Sequence, residues 1–241
     1  MLDNYVVIDL EMTGLNAKKD VILETGAVRV RDGKAVDTYS ALLCTGRKLP
    51  EHVVELTGIT EEMVVAGRKP EEAMAEFFAF LADDVLVGQN IIFDYSFLKQ
   101  WAVNHNFPFE RRAVDTLKLS RQFLPKEEKK DLESLCMYFD IPRRNAHRAL
   151  DDARETWQIM ECLKKNFGEE NPAAFEPKAL QYKAKKMTPA TERQKENLRR
   201  FAAYHGLEVP PDLEELTRSE VSRLQDLWIA VKQCENKPVN R

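Results

Sequence analysis

Nothing in the chain approaches the roughly 20 consecutive apolar residues that a membrane-crossing helix needs. The apolar runs are short, Tyr5–Ile8 and Val85–Val87 among them. Cysteine is scarce and scattered: Cys44, Cys136, Cys162 and Cys234 form no CxxC pair and no dense framework. That excludes a ribbon-type zinc site and a disulfide scaffold, and it predicts four reduced packing residues. The opening MLDNYVVIDLE lacks the basic-then-apolar layout of a secretory signal, since acids appear at once. The expectation is an intracellular, cytoplasmic protein with no membrane partner. No internal repeat is visible.

What is present fits an ordinary globular chain, with 44% hydrophobic and 32% charged residues over 241 positions. That length accommodates one α/β domain and something small. The net charge of −4 hides a split. Residues 1–176 hold 31 acids against 23 Lys and Arg, whereas residues 177–241 hold 9 against 13. An acid-rich domain calls for cations, and a basic appendage can add affinity for phosphate.

The stretch 4–12, NYVVIDLEM, is short, β-branched and nearly all apolar, as expected of a buried central strand. Residues 21–43 read as two strands around the tight turn Asp32-Gly33. Helices are predicted over 60–66, 70–82, 93–106, 132–139 and 149–167, and a further strand over 84–90. AVDTLKLSRQFL (113–124), which contains VDTL (114–117), begins as a strand and turns into a helix. This order predicts a mixed sheet with helices on its faces. Residues 168–186, with their prolines and charges, read as a linker between a domain at 1–167 and a small helical one at 187–241. In the latter, Thr188-Pro189 suits a helix entry and Gly206 an exit, and Thr217-x-x-Glu220 has the form of a capping box with Leu216 and Val221 as its staple. Two helices bury little alone, so this piece is expected to pair with itself, the first domain or a partner.

Three stretches hold carboxylates that could meet. Asp9 and Glu11 point to one face of the first strand, because side chains alternate, while Leu10 points to the other. Two acids on an otherwise apolar strand repel each other unless a cation relieves them, or unless the strand end simply emerges into water. Asp94 follows a strand and opens a helix, where it could cap amides or line a site just beyond the sheet. In HRALDDARET (147–156), His147 precedes Asp151 and Asp152, which differ by about 100° around a helix axis. Spacing alone does not choose between them. Hard divalent cations such as Mg²⁺ or Mn²⁺ take oxygen ligands, and two of them about 3.5–4 Å apart can activate water against a phosphodiester. A histidine beside them suits a general base.

DLEMTGL, QNIIFD and HRALDDA occur in this order and resemble the three motifs of the DEDDh, or DnaQ-like, 3′–5′ exonucleases, the family of the proofreading epsilon subunit of DNA polymerase III. The similarity spans roughly residues 3–167, and ELTGIT (55–60) and VDTL resemble the family's connecting segments. The resemblance implies a ribonuclease H-like fold with a five-stranded mixed sheet for the first domain, ahead of the small α-helical one. It makes Asp9, Glu11, Asp94 and Asp152 the ligands of two divalent ions, and His147 the base, with Asp151 a bystander. It further implies that Met12, Thr13, Asn90 and Phe93 border the terminal nucleotides, although Met12 stands where many relatives have threonine.

The expected substrate is the 3′ end of a single strand, DNA in preference to RNA, with a polymerase or other protein as a partner through the C-terminal helices. Two alternatives are an RNA-trimming enzyme of the same family and a catalytically silent binding module. Against the latter stands the complete set of five motif residues. No sliding-clamp peptide is visible. Asp115 reads as a cap rather than a ligand, and His52, His105 and His205 as surface or packing residues. Phe77, Phe78, Phe80 and Leu81 read as core. The run Lys178, Lys183, Lys185, Lys186, Arg193, Lys195, Arg199 and Arg200 is either a solvated face or a grip on nucleic-acid backbone.

Overall fold

The computed structural model describes residues 2–46, 48–143 and 147–235. The chain divides into two compact units, residues 1–184 and 185–241.

The first unit is built on a mixed sheet. Its strands are β1 (Tyr5–Met12), β2 (Ile22–Arg31), β3 (Lys34–Leu42), β4 (Leu86–Gly88), β5 (Arg112–Asp115) and β6 (Lys178–Ala179). Helices α1 (Glu51–Thr57), α2 (Glu61–Val65), α3 (Pro70–Leu81), α4 (Ile92–Asn104), α5 (Thr116–Phe123), α6 (Leu132–Tyr138) and α7 (Ala149–Phe167) connect them. Strand order is β3-β2-β1-β4-β5-β6, so the sheet has six strands rather than five. The extra one is a two-residue edge strand from the stretch read as linker, antiparallel to Arg112 and Ala113. The Arg112 guanidinium donates to the Pro177 carbonyl beside it, from Nη2 at 2.7 Å. β1 runs antiparallel to β2 and parallel to β4.

Alternation along β1 decides the layers. Val6, Ile8 and Leu10 join one core with Met74 and Phe77 of α3 and Phe97 and Leu98 of α4. Tyr5 and Val7 join the other with Leu135 of α6 and Ile159, Met160 and Leu163 of α7. On that second face the β1–β2 pairs run Tyr5–Val30, Val7–Val28, Asp9–Gly26 and Glu11–Glu24. Apolar pairs under the body of α7 thus give way to a glycine and acids under its beginning. Phe77 and Leu81 are fully buried, with Phe78 and Phe80 packed against the same core, as expected. The turn at Asp32-Gly33 has left-handed φ values of 49° and 72°.

The second unit holds α8 (Glu192–His205) and α9 (Arg218–Glu235). Its helix entry differs from the expected Thr188-Pro189. There the chain is extended: Ala190 N donates to Leu216 O, and Arg218 N to Thr188 O, both at 2.9 Å. α8 starts instead after Thr191, which forms a reciprocal capping box with Gln194. Gly206 ends it in the left-handed conformation, and Thr217 and Glu220 form the second box as read. Leu198, Leu213 and Val221 make a small core with Leu216, Leu224 and Trp228 against it. Within the basic run, Lys195 and Arg199 both pair with Glu214, and Arg200 with Glu196. Among the described residues no helix is long and apolar enough to cross a membrane. Cys44, Cys136 and Cys162 are free thiols, whereas the Cys234 side chain lies outside the described residues.

Candidate active site

The site lies where β1 outruns β4. The last β1–β4 pair is Val7–Val87, but β1 continues to Met12. Val6 N donates across to Val85 O at 2.9 Å, so the amides of even-numbered β1 residues face β4. Leu10 N faces the same way beyond the paired stretch and donates 3.0 Å to Asp94 Oδ1. Asp94, in the first turn of α4 and nearly buried, is thereby tied to the backbone between Asp9 and Glu11. This is the crevice at strand ends where open α/β sheets place ligands.

α7 closes the site from the other side. The helix begins at Ala149, with Arg148 as N-cap, so His147 stands before it rather than in its first turn. His147 takes a left-handed φ of 60°. One ligand atom from each of Glu11, His147 and Asp152 lies within 4.8 Å of the others. Asp152 is 6% exposed and faces this cluster. Asp151 turns outward to pair with Arg154 at 3.3 Å.

Burial is the main force on these acids. It holds the Asp9 carboxyl well above the ordinary carboxylate range, with Asp94, Asp152, Glu11 and Glu24 adding repulsion. Glu11 is pushed up to about 8 by burial and by Asp152, Glu24 and Asp94, against a downward pull from Arg148. Burial pushes Asp94 up to about 7 although the Leu10 amide opposes it. Asp152 is raised by burial despite Arg143 and His147. Oxygen donors that repel one another this strongly fit hard divalent ions, which would relieve both the repulsion and the desolvation.

The residues expected around a strand terminus fall into different roles. Met12 and Phe93 are half-buried, and Phe93 meets Phe97 edge-on at 5.5 Å. Asn90 is exposed, with a left-handed φ of 59° and its amide on Asp115 Oδ1 at 3.1 Å. Thr13 is turned inward: its hydroxyl accepts from Val21 N at 3.0 Å and donates to Asp20 Oδ1 at 3.3 Å. Asp115 caps α5 through Leu117 N, as read. His105 stacks on Trp101 at 4.1 Å and belongs to no acid cluster among the described residues.

Three residues of the site escaped the sequence reading. Glu24 on β2 receives Arg148 Nη2 at 2.7 Å and Ala149 N at 3.1 Å. Gly26 leaves no room for a side chain, since a Cβ there would stand 2.1 Å from the Ala149 carbonyl carbon. Arg143 bridges Asp152 at 3.0 Å and the buried Glu155 at 2.8 Å. Only Gly26 left a signal, a small residue inside an apolar strand.

Comparison with known proteins bears on the family and the fold. A family model described as Exonuclease, RNase_T, matches residues 6–160. The DNA polymerase III PolC-type of Thermotoga petrophila is 39% identical over 166 residues, which cover 67% of this chain and 12% of that protein. The chain thus spans about an eighth of the PolC-type relatives. The DNA polymerase III subunit epsilon of Aquifex aeolicus is 35% identical over 156 residues, 64% of this chain and 77% of that protein. Among solved structures, Exonuclease X in complex with 5′ overhanging duplex DNA has 25% identity and a TM-score of 0.56, covering 68% of this chain and 93% of that one. The nuclease domain of 3′hExo, a DEDDh family member, bound to rAMP, has 16% identity and a TM-score of 0.60, covering 74% and 98%, and shows the same fold.

Proposed function

Since the chain belongs to the RNase_T exonuclease family and is a relative of a DNA polymerase III epsilon subunit, we propose that it removes nucleotides hydrolytically from the 3′ end of single-stranded DNA with the help of two divalent ions. The observation that carries this is the convergence of Glu11, His147 and Asp152 within 4.8 Å, beside Asp9 and the Asp94 carboxylate anchored on Leu10 N. The catalytic module is assigned to residues 1–167, which contain the matched stretch 6–160. The helical unit beyond the linker is assigned to a polymerase or other protein partner, since its α9 exposes Leu227 and Val231.

In this reading Asp9, Glu11, Asp94 and Asp152 hold the ions, with Mg²⁺ or Mn²⁺ the fitting choice for oxygen donors. When bound, the ions supply an activated water and offset charge on the departing 3′ oxygen. His147 takes up the proton of the attacking water on a ring nitrogen. Phe93 offers a ring face to the terminal base, and Met12 and Asn90 flank it. Thr13 shapes the floor by its fold, because its hydroxyl is already engaged.

The test replaces Asp9 or Asp152 by alanine and follows Mg²⁺-dependent shortening of labelled DNA and RNA strands, with circular dichroism to verify the fold. Loss of shortening in both folded variants, and faster turnover of DNA than RNA by the parent protein, is expected. Full activity in either variant overturns the site assignment, and a preference for RNA replaces DNA with RNA as the substrate.

A further inference from the structure

We propose that Glu24 is a positioning residue: through Arg148 and the Ala149 amide it sets the first turn of α7, and so places His147 and Asp152 over Asp9 and Glu11. This rests on the catalytic reading above and extends it to a residue outside the five motif positions.

A helix start leaves its first amides without partners, and they need acceptors. The N-cap of α7 is Arg148, which offers no side-chain cap. The acceptor comes from another strand: Glu24 Oε2 takes the Ala149 amide at 3.1 Å. The same carboxylate receives Arg148 through Nη2 on Oε1 at 2.7 Å and through Nε on Oε2 at 3.1 Å, a two-point fork that fixes direction as well as distance. Arg148 O then accepts the Asp152 amide at 3.0 Å, the bond that starts the helical ladder. The path from Glu24 to Asp152 therefore crosses one residue, Arg148, and His147 is its immediate neighbour in the chain.

Glu24 is unsuited to hold an ion itself. Both of its oxygens are engaged by protein donors, and the residue is only 2% exposed. It also sits directly across the strands from Glu11. A buried acid beside another acid would be strongly unfavourable without a cation, and Arg148 provides one. Gly26, two residues along the same face, lets the Ala149–Leu150 backbone lie against β2. Acid, arginine and glycine thus form one seat for the helix.

The test uses the full chain with Glu24→Ala and the near-isosteric Glu24→Gln. Hydrogen exchange is read in chelator, Mn²⁺ affinity by calorimetry, and kcat and KM on a DNA oligonucleotide. For Glu24→Ala, faster exchange confined to the amides of 149–153 is expected, with Mn²⁺ affinity and kcat each about tenfold lower and KM unchanged. Glu24→Gln, which keeps an acceptor for Ala149 N, should recover part of each loss. Wild-type exchange, Mn²⁺ affinity and kcat in Glu24→Ala, whatever its melting temperature, would overturn the proposal. So would a raised KM with unchanged kcat, which would make Arg148 a substrate contact. If the parent protein neither bound Mn²⁺ nor cleaved DNA, the catalytic reading would fail, and the exchange data alone would decide whether Glu24 seats α7.

Discussion

The Gly26 backbone and the Ala149 carbonyl carbon are so close that a Cβ on Gly26 would stand 2.1 Å away. β2 and the start of α7 therefore meet backbone to backbone, opposite Asp9. Any side chain at Gly26 must lift the helix start off the strand. Gly26→Ala should lower stability by about 1–3 kcal/mol, the usual range for an overpacked core. Nuclease activity should fall far more than the unfolded fraction explains. Urea unfolding and a rate assay on one preparation check both, and a rate matching the parent's contradicts the close-approach argument.

Stability should depend on pH in an unusual direction when metal is removed. Glu11 and Asp94 bind protons up to about 8 and about 7 in the fold, against ordinary values of 4.5 and 3.8. A carboxyl with a raised folded value contributes stability that is complete below its unfolded value and is lost as pH climbs through the folded one. In chelator the melting temperature should therefore fall from about pH 5 to pH 8. Mn²⁺ should raise it more at pH 8 than at pH 6, because fewer protons must be displaced. Glu11→Gln should flatten the slope. A chelated protein that gains stability across this window would speak against the electrostatic account.

Asp151 and Asp152 are adjacent yet should behave as opposites. Asp152 faces the cluster, whereas Asp151 pairs outward with Arg154. Exposed pairs of that kind contribute about 0–1 kcal/mol. Asp151→Asn should keep nearly the parent rate and melting point, and Asp152→Asn should lose turnover. Steady-state rates on one DNA substrate decide between them, and equal losses would contradict the orientation.

Arg143 is the cation between Asp152 and the buried Glu155, whose carboxyl is pushed up to about 7 by burial. Arg143→Met strands both acids. Breaking one side of a buried ion pair typically destabilises by about 3–5 kcal/mol. That loss should appear at pH 8 and shrink at pH 5, where the acids take up protons instead. Denaturant titrations at the two pH values measure it, and a pH-independent loss would point to packing alone.

Much of this was legible in the chain, for local reasons. Alternation in NYVVIDLEM places Asp9 and Glu11 on one face, and α7 covers 149–167 as its spacing predicts. Glu24 and Arg143 were not, and Gly26 shows only as a small residue within a strand, because their roles depend on which element packs over them, and no short-range period encodes that. β6 was hidden by its two-residue length in a proline-containing stretch, and α1 by its seven residues ending at Gly58. Thr13 illustrates a different limit: a motif names the residue, but only the turn to Val21 shows its hydroxyl engaged inward.

The most direct test is digestion of one single-stranded DNA oligonucleotide labelled at either end, in Mg²⁺ and in chelator. The account predicts that the 3′ label leaves first as a mononucleotide, while the 5′-labelled strand shortens stepwise, and that chelator stops both. Release of the 5′ label first, or undiminished cleavage in chelator, would contradict it.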